Sequence, residues 1–147
     1  MKTEWNLEVL YKGLDDPAYE VDMQKYEAVQ KEFVELYESV KEQKPEDVAE
    51  ALLLKEEEAA YLLRKLSSYI SLRQAVETEN GDLMAQMNRL VRIYNNAVGT
   101  MLAAEQFVAK IEDVDVAAQK SEIIAEYRAM ILRNKEKAKY MFSDEVE

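Results

Sequence analysis

Histidine and cysteine are both absent from this 147-residue chain. Their absence excludes a Ser-His-Asp or Cys-His nucleophile, a structural zinc site and a catalytic zinc of the usual histidine-bearing kind. No disulfide can form, so the fold does not depend on an oxidising compartment. Glycine (3) and proline (2) are scarce. Sandwiches, barrels and doubly wound sheets need a turn every ~8–12 residues, and this chain lacks punctuation at that spacing. No apolar run approaches the ~18 residues of a membrane span, and Met1-Lys2-Thr3-Glu4-Trp5 leads into no apolar signal region. The expectation is a cytoplasmic, soluble chain with no membrane partner. Positive charge is also short: 19 Lys+Arg against 30 Asp+Glu give a net charge of −11, with an isoelectric point near 4.6. Nucleic-acid binding needs a basic face, so nucleic acid is not an expected partner.

What is present is apolar residues at 48%, enough for the core of one ordinary domain. Their spacing predicts an all-α fold: an antiparallel bundle of four long helices over residues 15–142, preceded by a short arm at 1–14. Asp16 caps the first helix and Pro17 occupies its first turn, where a missing N–H costs nothing. Tyr19, Met23, Tyr26, Phe33, Leu36, Tyr37 and Val40 then recur at mostly three- and four-residue steps, predicting a helix near 17–42. Pro45, Glu46 and Asp47 open a second near 45–78, its stripe running through Val48, Leu52, Ala59, Leu62, Leu66 and Tyr69. Asn80-Gly81-Asp82 reads as a turn and a cap before a third helix near 82–111. There Leu83, Met87, Leu90, Tyr94, Ala97, Met101, Ala104, Val108 and Ile111 form a heptad seam suited to long antiparallel packing. Gly99 inside it predicts a closely approaching neighbour or a bend. Asp113 or Asp115 caps a fourth helix near 116–138. Residues 143–147, a serine followed by acids, have the chemistry of a helix start, and are read as the first turn of a truncated helix leading to an absent domain.

Several constellations invite a functional reading and have a plainer one. The acids Glu56-Glu57-Glu58, with Glu50, resemble half of a carboxylate metal site. Three consecutive acids spread over about 200° of helix surface, so a solvated face fits better. Arg128, Arg133, Lys135, Lys137 and Lys139 suggest an anion patch, but cations also complement a helix C-terminus. Tyrosines and methionines on the stripes read as core. Leu52-Leu53-Leu54 is different: three adjacent leucines cannot all face one neighbour. With Val29, Val98 and Leu102 also off their seams, a further layer is expected to cover the helices. Leu52, Leu53 and Leu54 are the expected docking residues, for a missing domain or for a second copy in a homodimer.

The segment Trp5-Asn6-Leu7-Glu8-Val9-Leu10-Tyr11-Lys12-Gly13-Leu14-Asp15-Asp16-Pro17 resembles the W-D-L-x-x-L-Y-x-G-x-D-D-P opening of oligoendopeptidase F-like zinc metallopeptidases. Ser68-Tyr69-Ile70-Ser71-Leu72-Arg73-Gln74-Ala75-Val76-Glu77-Thr78 is similar to their S-Y-A-S-L-x-x-A-x-D-T segment. Tyr127-Arg128 and Ser143 stand at the separation of the family's tyrosine-arginine pair and its later serine-led helix start. Lys139 replaces a frequent proline, so the fourth helix is expected to run on. The resemblance implies the family's N-terminal helical domain, which forms one wall of the channel through which short peptides reach zinc held by a larger catalytic domain. Trp5, Leu7, Leu10, Tyr11, Gly13, Asp16, Pro17 and Tyr69 then carry structural roles, with Trp5, Leu7, Leu10 and Tyr11 anchoring the arm. No metal ligand of the family matches a position here. The chain by itself is expected to hold no cofactor and catalyse nothing, zinc and peptide hydrolysis belonging to the parent. The competing readings are a stand-alone helical interaction module and an all-carboxylate, magnesium-dependent enzyme.

Overall fold

The computed structural model describes the backbone of residues 10–146 and the side chains of residues 10–140. Trp5 and Leu7 therefore lie outside the described residues. Within them the chain is helical, with turns and no strand. The elements are α1 (Pro17–Val40), α2 (Pro45–Val76), α3 (Gly81–Val108), α4 (Val114–Lys120), α5 (Glu122–Glu126) and α6 (Arg128–Val146).

The helix starts follow the local chemistry. Asp16, just before α1, accepts from two backbone donors: the N–H of Ala18 in the first turn at 3.0 Å and that of Lys12 in the preceding segment at 2.9 Å. At α3 the cap is Asn80, whose Oδ1 accepts from the N–H groups of Asp82 (2.9 Å) and Leu83 (3.4 Å). Asp82, expected as the cap, is already inside the helix.

The expected fourth helix near 116–138 is instead three helices. Asp113 caps α4, accepting the Val116 N–H at 3.1 Å, while Asp115 pairs with Arg128 at 2.6 Å. Ser121 then takes an extended backbone (φ −146°, ψ 121°), and its hydroxyl accepts the Ile124 N–H to start α5. A serine hydroxyl can offer the backbone this alternative to continued helix. Tyr127, at φ −98° and ψ 9°, separates α5 from α6. Helix α6 runs unbroken to Val146, so residues 143–146 continue a helix and do not begin one. Between Arg128 and Val146 there is neither glycine nor proline to stop the helix.

Residues 1–31 with 57–97 form one compact unit, and residues 32–56 with 98–147 a second. The first has a core rich in tyrosine: Tyr11, Tyr19, Tyr26 and Tyr69 pack with Met23, Leu66, Ile70 and Leu90. Val29, expected off its seam, belongs to this core. The second unit has an aliphatic core in which Leu52, Leu53, Val108, Ile111, Ile124 and Ile131 surround Phe33 and Phe107. Side chains also tie its elements together. Glu46 accepts the Glu112 N–H at 3.0 Å, Lys55 pairs with Glu32 at 2.9 Å, and Lys135 donates to the carbonyls of Ala109 and Ile111.

Two expectations on α2 and α3 are corrected. Leu52 (1% exposed) and Leu53 (3%) are spent on the second unit's own core, and only Leu54 (51%) is open. An apolar helix face wider than 100° accommodates two neighbouring leucines side by side, so Leu52 and Leu53 are not docking residues. Gly99 has no atom of a neighbouring element within 4 Å of where a Cβ would stand, so no close approach explains it.

Candidate functional site

The densest polar network lies in the first unit, where the segment before α1 meets three helices. Tyr11 is 2% exposed. Its ring packs edge-on against Tyr69 of α2 (centroids 5.0 Å apart, 79°) and Tyr19 of α1 (5.4 Å, 89°). Edge-to-face geometry sets the positive ring edge on the negative face of the next ring. Lys65 adds its ammonium 5.1 Å from the Tyr11 ring centroid.

The three phenols leave this stack toward different partners. Tyr11 donates to Asp22 Oδ2 at 2.6 Å, and Lys65 donates to the same oxygen at 2.9 Å. Tyr19 donates to Gln86 Oε1 of α3 at 2.9 Å. The Tyr69 hydroxyl accepts from Arg73 at 3.1 Å, and Arg73 also grips Glu77. Arg89 of α3 reaches Glu20 of α1 at 2.8 Å, and the other Glu20 oxygen, Oε2, is buried with no partner among the described residues. Deeper in the unit Gln30 donates to the Tyr26 hydroxyl at 3.0 Å.

The electrostatics follow from these contacts. Burial pushes the Tyr19 phenol up to about 12. Burial and then the Asp22 carboxylate push Tyr11 higher still, out of the titratable range. Burial acts to raise Asp22, but the hydrogen bonds from Tyr11 and Lys65 outweigh it and hold the carboxyl below its ordinary value. Asp16 is lowered by the Lys12 and Ala18 backbone donors. Both Tyr11 and Tyr19 stay protonated at neutral pH, so neither is a base or a nucleophile there. The arrangement is chemically suited to clamping the arm.

The residues that carried the family resemblance divide clearly. Tyr11, Asp16, Pro17 and Tyr69 all take part in the clamp or the α1 cap, and Leu10 is half-buried against the same core. Gly13 has no positive φ, and a Cβ there meets only the movable carboxylate of Asp15, at 2.8 Å. Asp22, Lys65, Gln86, Arg89 and Glu20 were not singled out from the sequence. One signal was available: Asp22 sits three residues after Tyr19 and four before Tyr26, so it borders the apolar stripe of α1.

In the second unit an open groove of about 470 Å³ is lined by Glu46, Asp47, Glu50, Glu112 and Asp113, with Val116 among its apolar residues. Of the acid run on α2, Glu50 and Glu58 are exposed as expected, whereas Glu56 and Glu57 are half-buried. Burial and then Glu105 of α3 raise Glu56 to about 7. Two of the α6 cations take structural posts: Arg128 on Asp115 and Lys135 on the turn after α3. Among the described residues no group of three acids is placed to hold a metal ion, and no helix is long and apolar enough to cross a membrane.

No protein-family model, curated protein or solved structure matches this chain.

Proposed function

We propose that the chain is a non-catalytic helical domain whose consecutive long helices pack antiparallel. We further propose that it serves as the N-terminal domain of an oligoendopeptidase F-like zinc peptidase, forming part of the wall along which short peptides reach the metal. One observation carries this reading. The two segments that bear the resemblance are 58 positions apart at Tyr11 and Tyr69, yet their rings meet at 5.0 Å in one clamp. Motif residues that pack on each other point to a structural role for the motif, and no histidine or cysteine is present to hold zinc.

In the parent, zinc would be held by residues of the catalytic domain and would supply the chemistry of peptide hydrolysis there; no residue of this chain would hold it. This chain's part is to shape and narrow the approach. The partner is the catalytic domain of the same polypeptide, and a second copy of the chain is the substitute partner in isolation. Localisation is proposed as cytoplasmic.

A second reading, a stand-alone interaction module, draws on Tyr61, Met84 and Val91, large apolar side chains of the first unit that stand open. The test is peptide hydrolysis. The isolated chain with added zinc should cleave no fluorogenic oligopeptide, while the native polypeptide containing these residues should cleave it and lose activity to a zinc chelator. A native polypeptide without activity on short peptides would favour the interaction module.

A further inference from the structure

Helix α3 carries a second seam on the side away from its core. In the first unit its buried residues are Leu83, Leu90, Ile93 and Ala97. On the open side Met84, Asn88, Val91 and Asn95 follow at steps of four, three and four, so they align in one stripe about 16 Å long. All four belong to the first unit and all are exposed, Met84 at 60% and Val91 at 46%. Charged residues make up 33% of the chain. Yet between Met84 and Asn96 the exposed side chains of α3 are apolar or amide, with Arg92 the one exposed charge among the described residues of that stretch. The outer side of α6 shows the contrast, with Arg133, Glu136, Lys137 and Lys139 all exposed. Depletion of charge around an exposed methionine and valine is the composition of the centre of an interface, not of a solvated helix.

We propose that this stripe is a self-association surface, on which α3 of a second copy packs antiparallel about a two-fold axis. The stripe is self-complementary in that arrangement. Met84 of each copy falls level with Val91 of the other, and Asn88 lies beside the axis. An asparagine in the seam between two helices fixes their register at some cost in affinity. The charges bordering the stripe select the same partner. Asp82 and Arg92 are both exposed, and neither has an ion-pair partner among the described residues. At 100° per residue both stand on the same side of the stripe. Pairing Met84 with Val91 brings Arg92 of each copy within one residue of the level of Asp82 of the other, so two opposite-charge pairs border the contact. A parallel arrangement would set the two Arg92 side chains at one level. For a chain of net charge −11, a seam without acids is also where a like copy meets least repulsion.

The contact is small. Three turns of paired helix fall short of the ~1,200–2,000 Å² that a specific, stable interface buries, so the dimer is weak and concentration-dependent. It requires no catalytic domain and stands whether or not the chain belongs to a peptidase. Leu54 of the second unit is open to a similar degree, at 51%. Its neighbours at three- and four-residue steps include Glu50, Glu57 and Glu58, so like copies repel each other there.

The experiment is sedimentation equilibrium of the full chain between about 10 μM and about 1 mM, the range in which so small an interface associates. The average mass should rise with concentration from 17.0 kDa toward that of a dimer. Val91→Glu puts a charge into the seam and should weaken the dimer about tenfold or more. Because Val91 is open in the single chain, that variant should keep the melting temperature of a dilute sample. Arg92→Asp should weaken the dimer several-fold, and adding Asp82→Arg to it should restore association by exchanging the two charges. Leu54→Ser should leave the dimer unchanged. A chain that stays at 17.0 kDa at the highest concentration overturns the proposal. So does a dimer indifferent to Val91→Glu, or one that the exchanged charges fail to recover.

Discussion

The Tyr11 hydroxyl donates to Asp22 at 2.6 Å, and that same carboxylate oxygen accepts from Lys65 at 2.9 Å. One half-buried acid thus ties the segment before α1 to both α1 and α2. Hydrogen bonds to charged groups contribute about 1.5–3 kcal/mol, so Tyr11→Phe should cost roughly 1–2 kcal/mol. Truncation to alanine, which also empties the edge-to-face stack, should cost about 3–5 kcal/mol. A double-mutant cycle of Tyr11→Phe with Asp22→Asn, read by denaturant unfolding, should show clear coupling. Additive losses would mean the two groups do not interact. Because Asp22 is held below its ordinary value of 3.8, its contribution is present above that pH and is lost as pH falls further.

Lys135 ties α6 to the turn after α3, donating to the Ala109 and Ile111 carbonyls. Both carbonyls lie in the turn that follows α3, just past Val108. Lys135→Met keeps the stem packed and removes the ammonium, and should lower stability by roughly 1–2 kcal/mol. Lys137→Met, two positions on and exposed, should change stability by less than about 0.5 kcal/mol. Equal effects of the two substitutions would show that Lys135 contributes only charge.

Gly99 sits in the interior of α3 with open space where a Cβ would go. A helix-interior glycine costs about 1 kcal/mol relative to alanine, and nothing here repays it. Gly99→Ala should raise stability by roughly that amount, seen as an increase of several degrees in melting temperature. A lower melting temperature would reveal a packing role for the glycine.

The three adjacent leucines of α2 should behave unequally. Leu53→Ala empties a core position and should cost about 2–4 kcal/mol, whereas Leu54→Ala should cost less than about 1 kcal/mol. Matching losses would contradict the burial pattern.

The apolar stripes of α1, α2 and α3 were legible because three- and four-residue spacing over more than twenty residues has one physical solution. Tyr19, Leu66 and Leu90 are all buried where the spacing places them. The division of the last helix was harder to see. Ser121 lies between two stretches of good helix formers, and its capping role appears only once its backbone is extended and its hydroxyl meets the Ile124 N–H. The docking reading of Leu52 and Leu53 failed because periodicity tells which residues are apolar on two sides, but not whether the chain itself covers both sides. Asp22 and Lys65 escaped notice because their pairing joins positions 43 residues apart, which no local pattern encodes. Glu56 and Glu57 were read as solvated along with Glu58, since three acids in a row carry no sign of which of them are half-buried.

The proposed role as the non-catalytic N-terminal domain of a zinc peptidase is tested most directly by sequencing the transcript that encodes these residues through and beyond the codon for Glu147. The expected result is an open frame that continues into a larger helical region carrying His-Glu-x-x-His and a downstream glutamate. A stop codon immediately after Glu147, or a continuation without that motif, would contradict it.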